Sequence, residues 1–408
     1  MTDDIKYLSC GQHYIDKDDI DAVSDVLRSD WLTAGPTVHR FETLFAKAVN
    51  VQYAVSCSSG TAALHMACMA FNIGRNDRVI VPAISFMAAA NAAAFCGADI
   101  LFSDVDPDTG LMRSEDILQL INGLTKKERS SIKAIIPVNL SGRVVDVEAI
   151  REIARDHGWK VIIDSCQALG SVYTTGAGEA HVAGDCSFAD MEVFSFQSEN
   201  IITMGEGGAI TTNDLGLYER LSMLRNHGIQ SDPEKWVRDC GGKIPPPWYY
   251  EMHLLGYNYR LSEIQSALGV SQLNKLPGFR EKIRRLAAMY DELFTSLSPH
   301  ISPVKKRKTC ESAYPSYGVL IDFKSMGEDR ATFVNQLTVR NIGTQVHYIP
   351  VRNHPFYIGN YGKQHKPGAQ AYFARTLSLP LHCSMTEADV VYVVDQIKEI
   401  LTLLGSKA

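Results

Sequence analysis

Cysteine pairs, basic runs and long uninterrupted apolar stretches are what this 408-residue chain lacks. Its nine cysteines are odd in number and never spaced as CxxC. That argues against a disulfide framework or a zinc site, and for small thiols in a reducing compartment. The formal net charge of -6 offers no attraction for nucleic acid or an acidic membrane surface. The one basic cluster, Lys305-Lys306-Arg307-Lys308, has no aromatic companion and reads as a solvated loop. No basic-then-apolar leader opens the sequence, which predicts that a signal peptide is absent. Ala83 to Phe102 is apolar enough to imitate a membrane span, but Ser85, Asn91 and Asp99 interrupt it and Gly97 splits it. The expectation is a cytoplasmic protein without nucleic-acid, membrane or metal partners. One further absence is local: from Val161 to Glu234 there is no lysine at all.

What is present is a core. With 45% hydrophobic residues, the chain is long enough for two domains, which we place at 1–275 and 276–408. Short apolar runs at Tyr53–Ser56, Val79–Val81, Ile100–Phe102, Ala134–Val138 and Val161–Asp164 alternate with helical patterns. Those helices are expected at Ala62–Phe71, Phe86–Phe95 and Val147–Arg155. This alternation predicts an α/β domain with a mostly parallel sheet buried on both faces. In such sheets ligands sit beyond the carboxyl ends of the strands. After residue 275 the pattern changes to a smaller α+β domain. It comprises a long helix near Pro277–Leu297, a strand Ser316–Ile321, a helix Arg330–Val339, a strand Thr344–Tyr348 and a closing helix Glu387–Leu404.

Three stretches carry polar groups suited to a ligand. Ser58-Ser59-Gly60-Thr61 joins a strand to a helix start, where unpaired amides and the helix dipole suit an anion. A plain helix cap would look the same. Asp164 ends a strand of buried type, which predicts a carboxylate at the ligand edge; a capping aspartate fits equally well. Val193 to Ile210, VFSFQSENIITMGEGGAI, reads as a buried strand, a polar turn and a second strand after Gly205-Glu206-Gly207-Gly208.

That last stretch resembles the lysine segment of the DegT–StrS family of pyridoxal-phosphate (PLP) sugar aminotransferases. There Ser-Phe-(His/Gln)-x-x-Lys is followed a few residues on by Gly-Glu-Gly-Gly. The resemblance runs from WLTAGP (Trp31 to Pro36) to SLPL (Ser378 to Leu381), most of the chain. It implies the aspartate aminotransferase-like fold of PLP-dependent transferases, with PLP or pyridoxamine phosphate (PMP) as cofactor. In SSGTAAL it places the cofactor phosphate on Ser59, Gly60 and Thr61, with Ser195 as a further phosphate ligand. In IIDSCQALG it makes Asp164 the partner of the pyridinium nitrogen and Gln167 the partner of the ring hydroxyl. Phe86 would stack on the ring, although its apolar surroundings alone suggest core. Asn258, in LGYNYRLSEIQSALG, would reach the cofactor phosphate of a neighbouring subunit, which implies a homodimer with shared active sites. Thr33 and Tyr348 are implied on the substrate side, with His347 beside them as a catalytic candidate; a structural histidine is equally open. WYYEMHLLGYNYR and VHYIPV are similar to members of the pseudaminic-acid pathway, whose substrate is a UDP-linked 4-keto-6-deoxy-N-acetylhexosamine. Glutamate is the amino donor implied.

One letter departs from the pattern. Asn200 stands where the family has the lysine that holds the cofactor covalently and then shuttles a proton. A carboxamide is not nucleophilic and does not titrate near neutral pH, and losing a general base costs about 10²–10⁴ in rate. A distant lysine such as Lys243 has no support in the sequence as a substitute. The first reading is therefore an aminotransferase-family protein altered or impaired in its chemistry, with the cofactor held noncovalently. Alternatives are a lysine-free dehydratase-like enzyme, with His347 or water moving the proton, and a non-catalytic sugar-nucleotide or cofactor-binding regulator.

Overall fold

Seven strands form the central sheet in the computed structural model, which describes residues 7–238, 246–297 and 300–405. In chain order they are β1 (Tyr53–Cys57), β2 (Arg78–Pro82), β3 (Asp99–Ser103), β4 (Ile132–Ile135), β5 (Lys160–Asp164), β6 (Met191–Ser195) and β7 (Gly208–Thr212). Across the sheet the order is β1-β7-β6-β5-β4-β2-β3. Neighbours are parallel except at β7, which runs antiparallel to both β1 and β6. The mostly parallel α/β sheet is as expected.

The exception follows from the chain. Only the segment 196–207 separates β6 from β7, too little for the helical crossover that a parallel return needs. At its end Gly208 lies so close to the β1 turn that an added Cβ would meet Ser59 O at 2.4 Å. The glycine cluster therefore lets β7 pass beside the turn after β1.

Four helices precede β3: α1 (Lys17–Leu27), α2 (Pro36–Ala48), α3 (Gly60–Ala70) and α4 (Ala88–Phe95). α3 follows β1 and α4 follows β2, and their buried faces are rich in alanine, which lets them pack closely. Phe86 lies ahead of α4 rather than inside it, which corrects the expected helix start.

The C-terminal part begins along one 32-residue helix, α5 (Glu263–Phe294). The sequence suggested a helix beginning near Pro277; the structure shows a single helix from Glu263 through Pro277, and the expected division at 275 falls within it. An internal proline costs about 3 kcal/mol. Burial of Leu273, Leu276, Phe279, Ile283, Leu286, Tyr290 and Phe294 along one face offsets it. A three-stranded antiparallel sheet of β8 (Ile301–Pro303), β9 (Tyr317–Ile321) and β10 (Thr376–Leu379) packs there with the closing helix α6 (Glu387–Gly405).

Thr344–Tyr348 is not a strand. Only Gln345 pairs, in a single bridge with Ser378 on β10. Beyond it, the His347 and Tyr348 side chains hydrogen-bond other partners and line a cavity.

Candidate active site

Parallel strands bring their carboxyl ends to one edge, so the residues following β1, β2, β5 and β6 meet there. They enclose a cavity of about 550 Å³. Its walls include Ser59, Gly60, Thr61, Phe86, Asp164, Gln167, Ser195, Asn200, His347 and Tyr348, all of them expected from sequence.

One end is the start of α3. Ser59 caps it, its Oγ accepting from Ala62 N at 3.1 Å, so the capping role is real. As first-turn groups, the Gly60 and Thr61 amides have no intrahelical acceptor and suit an anion. Gly60 also sits against β6: an added Cβ would meet Ser195 Cβ at 2.7 Å and Cys166 Sγ at 3.0 Å. Ser195 therefore stands beside this helix terminus although it lies far along the chain. Ser85 Oγ, buried in the same cavity wall, has no hydrogen-bond partner among the described residues.

In the middle lies Asp164, the last residue of β5. Its Oδ1 accepts from Cys166 N at 3.1 Å. Burial pushes the carboxyl above its ordinary range, against the hydrogen bonds from Cys166. A cation beside it would favour the ionised form.

Gln167 is held at both ends. Its Oε1 accepts from Ser141 N at 2.8 Å and its Nε2 donates to Tyr348 Oη at 2.8 Å. Tyr348 in turn lies 5.9 Å from the Phe86 ring, centroid to centroid. Phe86 is 52% exposed and faces the cavity, not the core. His347 Nδ1 lies 2.7 Å from Ser378 Oγ. Burial, with Arg143 adding to it, pushes His347 down to about 4, so the ring is neutral at pH 7.

Asn200 occupies the turn after β6. Its Nδ2 donates to Ser195 O at 2.7 Å and its backbone N–H to Gln197 O at 3.1 Å. No lysine or arginine among the described residues lines the cavity, and Lys243 lies outside the described residues.

A family model, the DegT/DnrJ/EryC1/StrS aminotransferase family, matches residues 13–398. The chain belongs to this family. It is 34% identical over 390 residues to the spore coat polysaccharide biosynthesis protein SpsC of Bacillus subtilis, covering 95% of each chain. It is 31% identical to the GDP-perosamine synthase of Escherichia coli O157:H7, covering 97% of this chain and 99% of the other. Among solved structures, Helicobacter pylori PseC, an aminotransferase of pseudoaminic acid biosynthesis, superposes with a TM-score of 0.86 at 28% identity. That match covers 97% of this chain and 100% of PseC. The fold is that of PLP-dependent sugar aminotransferases, which include structural relatives in PLP and PMP forms.

The residues present fit such a cofactor. The α3 terminus with Ser59, Gly60, Thr61 and Ser195 would hold its phosphate, Asp164 its ring nitrogen, and Phe86 one ring face. Gln167 keeps one amide hydrogen beyond its bond to Tyr348 for the ring hydroxyl. Ser85 offers an unused hydroxyl.

Two expected residues of the family site lie elsewhere. Thr33 is exposed and bridges Ser262 at the head of α5; Asn258 is exposed and bridges Asn226. Neither lines the cavity of its own chain. Residues that sequence reasoning passed over include Ser85, Cys166, Gln197, Glu199, Glu206 and His354. The signal for Glu199 was its place beside Asn200 inside the motif. His354 lies in the same HYIPVRNHPFY segment as His347. Among the described residues no group of three or more His, Cys, Asp or Glu could hold a metal ion, and no helix is long and apolar enough to cross a membrane.

Proposed function

We propose that the protein binds PLP or PMP without a covalent bond and acts on a nucleotide-linked 4-keto-6-deoxy sugar, as an aminotransferase-family protein of altered chemistry. One observation carries this reading: Ser59, Gly60, Thr61, Phe86, Asp164, Gln167 and Ser195 line one cavity while residue 200 supplies no amine. When bound, the pyridinium ring supplies an electron sink. Asp164 would stabilise the charge of the ring nitrogen, Phe86 would cover one ring face, and Tyr348 would hold Gln167 beside it. Asn200 can neither hold the cofactor nor carry a proton. His347, neutral at pH 7, is the proton acceptor we assign on the substrate side.

The captured Asn200 carboxamide also favours a second reading, lysine-free dehydration of the same sugar. UDP is the nucleotide we assign on the similarity of VHYIPV, and glutamate the donor; the GDP-perosamine synthase relative makes a GDP-sugar the comparator. The exposure of Asn258, and of Trp248, Tyr250 and Leu255 close to it in sequence, supports a homodimer in which Asn258 serves the neighbouring site. A cytoplasmic location accords with these substrates.

The test is spectroscopic first. Protein with added PLP is expected to absorb as free aldehyde, and borohydride is expected to fix no cofactor to the chain. A reduced cofactor–lysine adduct would overturn the noncovalent reading. Incubation with the UDP-keto sugar and glutamate then separates the readings: amino-sugar product supports the first, dehydration without amino transfer the second. Binding without either would leave a regulator.

A further inference from the structure

The charged side chains lining the cavity are all acidic. They are Asp164, Glu199 and Glu206, and among the described residues no lysine or arginine joins them. A phosphate-bearing ligand must therefore find its anion site on backbone amides at α3 and present positive charge elsewhere. Asp164 answers one such charge, that of a ring nitrogen. Glu199 has no counterpart.

Its carboxylate makes no hydrogen bond or ion pair with a described residue. The stem of its side chain lies against the N-terminal segment, where a Cβ on Gly11 would meet Glu199 Cβ at 3.1 Å. The charge is felt inside the cavity, where burial first and nearby Asp164 and Glu199 after it push the Tyr348 hydroxyl up. Glu199 is also the chain neighbour of residue 200, the position that faces the cofactor's reactive arm by the family pattern. Carbonyl capture of Asn200 leaves the carboxylate of Glu199 as the strongest acceptor on that turn.

We propose that Glu199 is the counter-ion of a primary ammonium on the bound pyridine, so that the site selects the aminated cofactor PMP over neutral-armed forms. This rests on the cofactor reading above. The carboxylate also disfavours a covalent site: next to an asparagine it rewards a charged amine that remains on the ligand.

Calorimetric titration of the full chain with PMP and with pyridoxine 5′-phosphate tests it. The two differ at one arm, ammonium against hydroxyl, and neither can bond covalently to a lysine. We expect PMP to bind about tenfold more tightly at low salt, as one charge-assisted hydrogen bond warrants. The preference should shrink as salt rises, because Glu199 is exposed. Glu199→Gln should abolish it and leave pyridoxine phosphate affinity unchanged, whereas Glu206→Gln should retain it. Equal affinities in the wild type, or a preference surviving Glu199→Gln, would overturn the assignment while leaving cofactor binding intact. Failure of both ligands to bind would instead overturn the cofactor reading on which it rests.

Discussion

Asn200 Nδ2 donates to the backbone carbonyl of Ser195 at 2.7 Å, closing the turn that follows β6 onto the strand itself. The side chain at the position we assign to the cofactor-holding residue is thus used as a local brace. The departure we assign to residue 200 is local, since the start of α3, Asp164, Gln167 and Phe86 all line the cavity. Asn200→Lys should therefore restore a covalent cofactor bond, visible as a shifted absorption band and as a borohydride-fixed adduct at residue 200. Transamination should rise by about 10²–10⁴, the contribution of a positioned general base. Loss of the brace should lower stability by about 1 kcal/mol. An unchanged spectrum would mean that the surrounding site is not competent.

Gly60 is a close contact at the start of α3, where we place the cofactor phosphate. Gly60→Ala places a methyl group 2.7 Å from Ser195 Cβ, and both partners are fixed by backbone. Overpacking of this kind costs about 1–3 kcal/mol. The separation of β6 from α3 should also widen, so PLP affinity should fall more than the melting temperature alone suggests. Titration with inorganic phosphate and thermal unfolding read the two effects separately.

The sheet was legible because each strand is a short apolar run closed by a turn residue, and Asp164 because a charge ends such a run. Distant contacts were not. Glu263 on α5 accepts from Gly35 N, Thr37 N and Val38 N at 2.9, 2.9 and 3.0 Å, capping α2 from a distant part of the sequence. No local pattern announces such a cap. α5 continues through Pro277 because burial of its apolar face outweighs the local penalty that made the proline look like a boundary. Thr344–Tyr348 has strand composition, yet His347 and Tyr348 bond to Ser378 and Gln167, and only Gln345 joins the ladder. Residues at or just after strand ends, such as Ser59, Asp164 and Ser195, are brought together in the cavity. Thr33 and Asn258, which lie on connections, do not reach the cavity of their own chain.

Asp164 should show opposed effects on stability and binding. Its carboxyl is pushed up by burial, so the ionised form is penalised in the folded protein. Asp164→Asn keeps the shape and an acceptor for Cys166 N while removing the charge. Without cofactor it should be more stable than wild type at pH 7 in denaturant unfolding, because no buried charge has to be ionised. With PMP the order should reverse, because the ring nitrogen loses its counter-charge. A variant destabilised in both states would show that the carboxylate serves the fold.

Glu192 makes the sharpest pH prediction. It lies on β6, is 3% exposed, and accepts from Ser165 Oγ at 2.7 Å; Asn139 Nδ2 donates to that same hydroxyl at 2.9 Å. Burial pushes its carboxyl up to about 7 from an ordinary 4.5, with the Ser165 bond opposing. Below 4.5 both folded and unfolded chains hold the proton and pH has no effect through this group. Between 4.5 and 7 the unfolded chain releases it while the folded one retains it, so stability falls as pH rises. Above about 7 both are ionised and the loss is complete, about 3 kcal/mol. Glu192→Gln cannot ionise and keeps an acceptor for Ser165. Its urea-unfolding free energy should match wild type near pH 4.5 and exceed it by that amount at pH 8. Curves that stay parallel across this range would mean that Glu192 is already ionised in the fold, held by donors around Ser165.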